Sequence, residues 1–153
     1  MLMNTLHEIR HVNRQRGNVL IELALLLPIM ISLFLGTWSF GYAYYVYAEL
    51  EAAVRSGARY ASLATYDASS TGTYQAAVQN MVVYGDPAGA SQPVVSGLQT
   101  SNVNVVVGTV NGEPTSVTVS ISGYKVPAMY FDSATLTGKP MLQIPFLGNY
   151  VPL

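Results

Sequence analysis

The chain has 153 residues, half of them hydrophobic and only a tenth charged, with a formal net charge of −1 and no cysteine. A soluble domain normally carries about 25% charged residues, so the deficit predicts apolar surface hidden in lipid or in other subunits. The near-neutral balance has no basic stripe beyond the first 16 residues; it leaves no footprint for nucleic acid, and the missing cysteines exclude disulfides and thiolate metal sites.

The first segment, residues 1–17, holds Arg10, Arg14 and Arg16 against Glu8, with His7 and His11 beside them. The rest of the chain holds four basic side chains and seven acidic ones. Gly17 closes the basic segment. It lacks a side chain, leaves its peptide bond open to a protease and disfavours helix.

Asn18 to Phe40 (NVLIELALLLPIMISLFLGTWSF) is a 23-residue apolar run with one carboxylate, Glu22. A bilayer span needs roughly 20 such residues. The arginines before it place the N-terminus in the cytoplasm and the C-terminal part outside. Trp38, Phe40, Tyr42, Tyr44, Tyr45 and Tyr47 follow at the far end, where aromatic rings favour the headgroup level. A secretory signal peptide cut after Ala48, an uncleaved signal anchor and a buried helix of a soluble protein are the competing readings. The apolar run exceeds the 7–15 residues of a signal core.

Glu22 is costly within that run, at about 2.5–3.5 kcal/mol for comparable charges near the bilayer centre. Cleavage after Gly17 would free the α-amino group of Asn18, mostly cationic at a reference pKa of about 7.7–8.0. Asn18 and Glu22 are one helical turn apart, so the carboxylate has a candidate partner in its own chain or in a neighbouring subunit, where the pair would fix axial register. An interfacial glutamate reaching water is the simpler alternative. Pro28 removes a backbone donor and kinks helices. Ser32 and Gly36 form a small-xxx-small pair that permits close helix contact.

The helix is expected to continue to about Ala64. Leu50, Val54, Gly57, Ala58 and Ala61 follow the helical spacing of a buried face. Glu51 and Arg55 lie one turn apart on the other side, and Arg59 continues it. A helix from Asn18 to Ala64 is roughly 70 Å long at about 1.5 Å per residue, more than a bilayer needs. The surplus must pack on the chain's own domain or on neighbours.

Residues 66–72 read as a turn-rich linker, 73–84 as a short helix with Thr73 as its cap, and 85–97 as a loop. Val103, Val105 and Val107 form one face of a strand; Val117, Val119 and Ile121 form one face of the next. Asn111-Gly112 between them signals a hairpin. A plain two-residue turn would set Val117 opposite Val106 and mix the faces. A three-residue loop or one bulge aligns Val107 with Val117 and Val105 with Val119, and is preferred. Residues 134–142 are read as a third strand, with Pro140 placing it at an edge. The apolar tail from Ile144 either folds back on the sheet or meets a partner. The sum is an α+β fold: a long N-terminal membrane-spanning helix packed with a small antiparallel β-sheet domain. Its segments are a leader 1–17, a helix 18–64 with the span at 18–40, and an extracytoplasmic domain 65–153.

The run RGNVLIELALLLPIMISLFLGTWSFGYAYYVYAELEAAVRSGARYA, residues 16–61, resembles the TadE-like minor pseudopilins of tight-adherence (Flp) pilus systems. Arg16-Gly17-Asn18 with Glu22 is similar to the prepilin processing motif, in which a membrane aspartyl peptidase cuts after the glycine. Leu23 follows the glutamate where Flp major pilins usually carry Tyr or Phe, and the chain is longer than theirs, so a minor subunit is the better match. The resemblance implies a pilin architecture, residence in the bacterial cytoplasmic membrane, and as partners a prepilin peptidase, other pilin and pseudopilin subunits, the inner-membrane assembly platform and the lipid bilayer. It implies processing at Gly17 and Asn18, an assembly role for Glu22, and no enzyme, catalytic residue, metal or cofactor.

The remaining chemistry agrees. His7 and His11 lie in the expected leader, so the mature chain has neither His nor Cys for a triad, a thiol nucleophile or a metal site. Asp67, Asp86, Glu113 and Asp132 are scattered through loop-like sequence. An uncleaved, signal-anchored binding or adhesion domain is the alternative to a pilus subunit.

Overall fold

A computed structural model describes the backbone of residues 2–127 and 134–152, with side chains from Val19 onward. The side chains of the leader and of Asn18, and the whole of Asp132, lie outside the described residues. The architecture is α+β: among the described residues, a long helix, a second short helix, a three-stranded antiparallel sheet and a two-stranded parallel one. The chain divides into two compact units, residues 1–41 and 42–153.

Helix α1 runs from Leu2 to Leu63. It therefore begins well before Asn18 and continues through Gly17. A single helical glycine costs only about 1 kcal/mol relative to alanine, and the flanking Arg14, Gln15, Arg16 and Leu20 are good helix formers. Gly17 is thus not a helix boundary. Pro28 is likewise accommodated within the helix.

In the first unit, every residue from Val19 to Phe34 is exposed. Among the described residues one helix is long and apolar enough to cross a membrane, within Val19–Leu63. Burying a Leu, Ile or Phe is worth about 1.5–3 kcal/mol, so this bare surface needs lipid or protein around it. Two of its three hydroxyls are satisfied internally: Ser32 donates to the Pro28 carbonyl at 2.8 Å and Thr37 to that of Leu33 at 2.9 Å, while the Ser39 hydroxyl is buried without a hydrogen-bond partner. Such back-bonding spares hydrocarbon an unpaired donor.

In the second unit, α1 buries Val46, Leu50, Val54, Gly57, Ala58 and Ala61, the face its spacing predicts. Helix α2, Thr71–Tyr84, packs on it through Tyr74, Val78, Val82 and Val83. The two helices pack tightly at Gly57, where a Cβ would run into the Val82 side chain. Thr73 does not cap α2. The helix starts earlier, with Ser70 at the N-cap and no side-chain cap bond, because the Asp67 carboxylate gathers the Ser69 amide and the Ser69 and Ser70 hydroxyls into the turn before it. Gly85, at φ 68°, closes α2 with its N–H on the Met81 carbonyl at 3.1 Å, a left-handed cap suited to glycine.

The main sheet has the order β2 (Val103–Val110), β3 (Glu113–Ile121), β4 (Met141–Pro145), all antiparallel. Val105 pairs with Val119 and Val107 with Val117, the preferred register. A bulge produces it, not a longer loop. Asn111 and Gly112 form a two-residue turn with φ of 53° and 85°, Val110 faces Glu113, and the register shifts between Gly108 and Thr109. Thr115 is the extra residue; its hydroxyl donates to the Gly108 carbonyl at 3.1 Å. Val103, Val105, Val117, Val119 and Ile121 then face the core together.

The third strand lies later than residues 134–142. Thr135 makes only an isolated bridge to Lys125, and continuous pairing begins at Met141. Pro140 has no N–H to give a ladder, so the strand starts beyond it. Leu142 and Ile144 turn toward the core, and Pro145 ends the strand. This edge is short and proline-flanked, a form that resists edge-to-edge pairing.

The tail folds back. Tyr150–Val151 (β5) pairs in parallel with Tyr66–Asp67 (β1), the start of what reads in sequence as a linker. Between them the last carbonyls of α1, which have no intrahelical donor, find partners. Tyr60 accepts from the Ala64 N–H at 2.9 Å, Ala61 from the Tyr74 hydroxyl, and Ser62 from the Leu147 N–H at 2.9 Å. The Ser62 hydroxyl returns a bond to the Pro145 carbonyl at 2.7 Å.

Candidate functional site

The residues singled out in sequence fall in the first unit, on one helix. Gly17 and Asn18 lie in its backbone, and Asn18 precedes Glu22 by one turn. Glu22 is exposed between Ile21 and Leu23, themselves 62% and 52% exposed. It is the only formally charged residue between positions 19 and 48. Among the described residues the ion pair is Glu51–Arg55, at 2.9 Å; nothing there pairs with Glu22. Ser32 and Gly36 follow one turn apart, and a Cβ built on Gly36 meets nothing within 4 Å. The small-residue face is thus open to another surface.

The second unit uses its acidic groups for architecture. Hydrogen bonds from Ser69, side chain first and then backbone, and from Ser70 hold the Asp67 carboxyl below its ordinary range. Asp86 accepts from the Ala88 and Ala90 amides at 3.1 and 3.3 Å. Among the described residues no three of His, Cys, Asp and Glu gather as metal ligands. One surface groove, of about 350 Å³, has Gln99, Asn102, Tyr124 and Lys125 in its lining. Gln99 and Asn102 close a capping box there, and the Tyr124 hydroxyl donates to the Ser96 carbonyl. A second, of about 370 Å³, lies between α1 and α2 and is lined by Ser56, Arg59, Tyr60, Leu63, Ala64 and Met81.

The family model described as TadE-like protein matches residues 17–59. These residues are a TadE-like segment. The segment begins at Gly17 and takes in Asn18, Glu22, Pro28, Ser32, Gly36 and the Glu51–Arg55 pair. The family is structural and pilus-associated. No curated protein and no solved structure matches the chain. Residues 60–153 lie beyond the TadE-like segment, so the groove beside Leu63 and the sheet are known from the fold alone. Sequence spacing did not single out that groove. The residue in the sequence that points to it is Leu63, large, apolar and 62% exposed at the end of α1.

Proposed function

We propose that the chain is a minor pseudopilin, processed after Gly17 by a prepilin peptidase, that serves assembly or priming of a tight-adherence pilus. The observation that carries this reading is Glu22: a single charge on a bare apolar helix, one turn after Asn18, inside the TadE-like segment. A lone carboxylate in hydrocarbon needs a counter-charge. Processing would create one, the α-amino group of Asn18, and a neighbouring subunit's amine would serve as well. The pair would then set the axial register between subunits.

The arginines before Gly17 favour a cytoplasmic N-terminus, with the second unit outside the inner membrane. Partners are the peptidase, other pilin-like subunits and the assembly platform. N-terminal sequencing of chain isolated from membranes tests the reading directly. Asn18 is the expected first residue. Material beginning at Met1 or Glu49 would make the chain an anchored or exported domain instead.

A further inference from the structure

Within the second unit, the groove of about 350 Å³ is built from two loops, residues 96–102 and 123–127. The polar groups it has to spare are donors. Gln99 accepts through Oε1 in the capping box, and Asn102 spends Oδ1 on the Gln99 N–H and Nδ2 on the Ser122 carbonyl. That leaves the Gln99 amide N–H groups, the Ser96 hydroxyl and the Lys125 ammonium. Lys125 is exposed and in no ion pair among the described residues, and no carboxylate is among the groove's lining residues. Such a lining suits an anion. The groove also has a fixed place along α1. Near the end of that helix, Ser116 of β3 pairs with Pro145, whose carbonyl accepts from the Ser62 hydroxyl. Further on, Tyr124 comes within electrostatic reach of Tyr42: burial first, and then the Tyr42 phenol, raise the Tyr124 pKa. Ser116 to Tyr124 is about 26 Å of extended chain, and Tyr42 to Ser62 is about 30 Å of helix. The sheet therefore runs back along the helix, and the groove sits where α1 enters the second unit at Tyr42. Tyr42 belongs to the aromatic run of residues 38–47, which reads as headgroup level.

We propose that this groove takes the phosphate of an anionic phospholipid headgroup from the membrane that holds the chain, with Lys125 as its counter-charge and Gln99 and Ser96 as neutral donors. The inference rests on the first unit being a membrane anchor. The donor set selects an anion, and the groove's position selects the source: headgroup phosphates are held at the level of Tyr42, whereas a soluble phosphate must be drawn from dilute solution. The next carboxylate along α1 after Tyr42 is Glu49. It stands about 10 Å farther out along the helix, roughly one Debye length, and does little to cancel Lys125. One lysine near an anionic surface favours the contact about fivefold. The anchor attaches the second unit at one point; a headgroup held in the groove adds another and limits how the unit tilts on the membrane.

Trp38, the chain's single tryptophan, lies one helical turn before Tyr42 and reports on the lipid at this level. Chain isolated from membranes is placed in phosphatidylcholine bilayers with a fixed fraction of brominated lipid, whose bromines quench tryptophan on contact. Brominated phosphatidylglycerol should quench Trp38 as though enriched roughly two- to fivefold over brominated phosphatidylcholine. Salt at about 1 M, which screens charges within about 3 Å, should remove the preference. Lys125→Gln should remove it too, while Lys125→Arg keeps it and Lys139→Gln, a cation outside the groove lining, leaves it unchanged. Soluble glycerol phosphate at constant ionic strength should not compete. Equal quenching by the two lipids, a preference that survives Lys125→Gln, an equal loss in Lys139→Gln, or displacement by glycerol phosphate would each overturn the proposal, the last by making the groove a site for a soluble phosphate. Equal quenching in material that begins at Asn18 would leave the pilin reading standing without this contact. A Trp38 that neither lipid quenches would sink the membrane anchor itself, and the headgroup site with it.

Discussion

The Tyr74 hydroxyl donates to the Ala61 carbonyl, so the first turns of α2 complete the last turn of α1. Tyr66 packs edge-on against the same ring, with centroids 5.2 Å apart, and stacks on Tyr150 of the returning tail. One phenol thus links the end of the long helix, the second helix and the tail. Burial raises the Tyr74 pKa to about 12, with smaller contributions from Tyr66 and Tyr60.

That shift fixes the sign of a pH effect. The folded state holds the Tyr74 proton more tightly than the unfolded chain, whose tyrosines titrate near 10. The stabilisation is complete below pH 10 and is lost as pH rises from about 10 towards 12. Tyr74→Phe should cost about 1 kcal/mol at neutral pH, the ordinary worth of such a bond. It should also flatten the decline between pH 9.5 and 11.5 relative to the parent, as read from urea midpoints in detergent. Parallel curves for parent and variant would show that another group governs the alkaline limb.

The contact of Gly57 with Val82 sets how closely the helices approach. Gly57→Val forces methyls into the Val82 side chain, an overpacking that should cost about 1–3 kcal/mol. Val82→Ala in the same chain should recover part of that loss, although alone it opens a cavity and destabilises. Thermal midpoints of the four chains form a double-mutant cycle, and simple additivity would show that the two sites do not meet.

The bulge at Thr115 makes opposite predictions for two single deletions. Without Thr115 the two-residue turn leads into a regular ladder in which Val107 still faces Val117, so the domain should fold within about 1 kcal/mol of the parent. Without Thr118 the residues beyond it change face, and Val119 and Ile121, both fully buried, turn towards solvent. Limited proteolysis should leave the first variant resistant and degrade the second.

How far the sequence carried varies with the range of the interactions involved. The core face from Leu50 to Ala61, the Glu51–Arg55 pair and the parity of the Val107–Val117 register depend on local spacing, which the sequence carries directly. The third strand is ambiguous in sequence because Thr135 and Leu136 look as strand-like as Leu142 and Ile144; only the position of β3 selects the later pair. The β1–β5 pairing joins residues about 84 apart, and two-residue strands carry no periodicity. Val95 and Leu98 enter the core from a stretch that reads as loop. The helix runs on before Gly17 because the strong formers around that glycine outweigh its modest cost. Of the candidate site, the lone carboxylate of Glu22 and the spacing of Ser32 and Gly36 are legible in the sequence; the groove between α1 and α2 needs the fold, because Met81 joins Ser56, Tyr60 and Leu63 only through tertiary packing.

The remaining prediction separates insertion from assembly. Replacing Glu22 with alanine removes a charge from an apolar helix, so insertion becomes easier on every transfer scale, and the chain should reach the membrane in at least parental amount. Filament assembly should move the other way. Removing one member of a buried pair leaves the other charge unpartnered at a cost of about 3–5 kcal/mol, so incorporation should fall by more than tenfold. Glu22→Gln keeps the shape and loses the charge, and should behave like alanine if the counter-charge matters and like the parent if only packing does. Membrane fractionation and counts of sheared pili read the two effects independently. A Glu22→Ala chain that assembled at parental levels would remove the register role and leave the glutamate as a residue that simply reaches interfacial water.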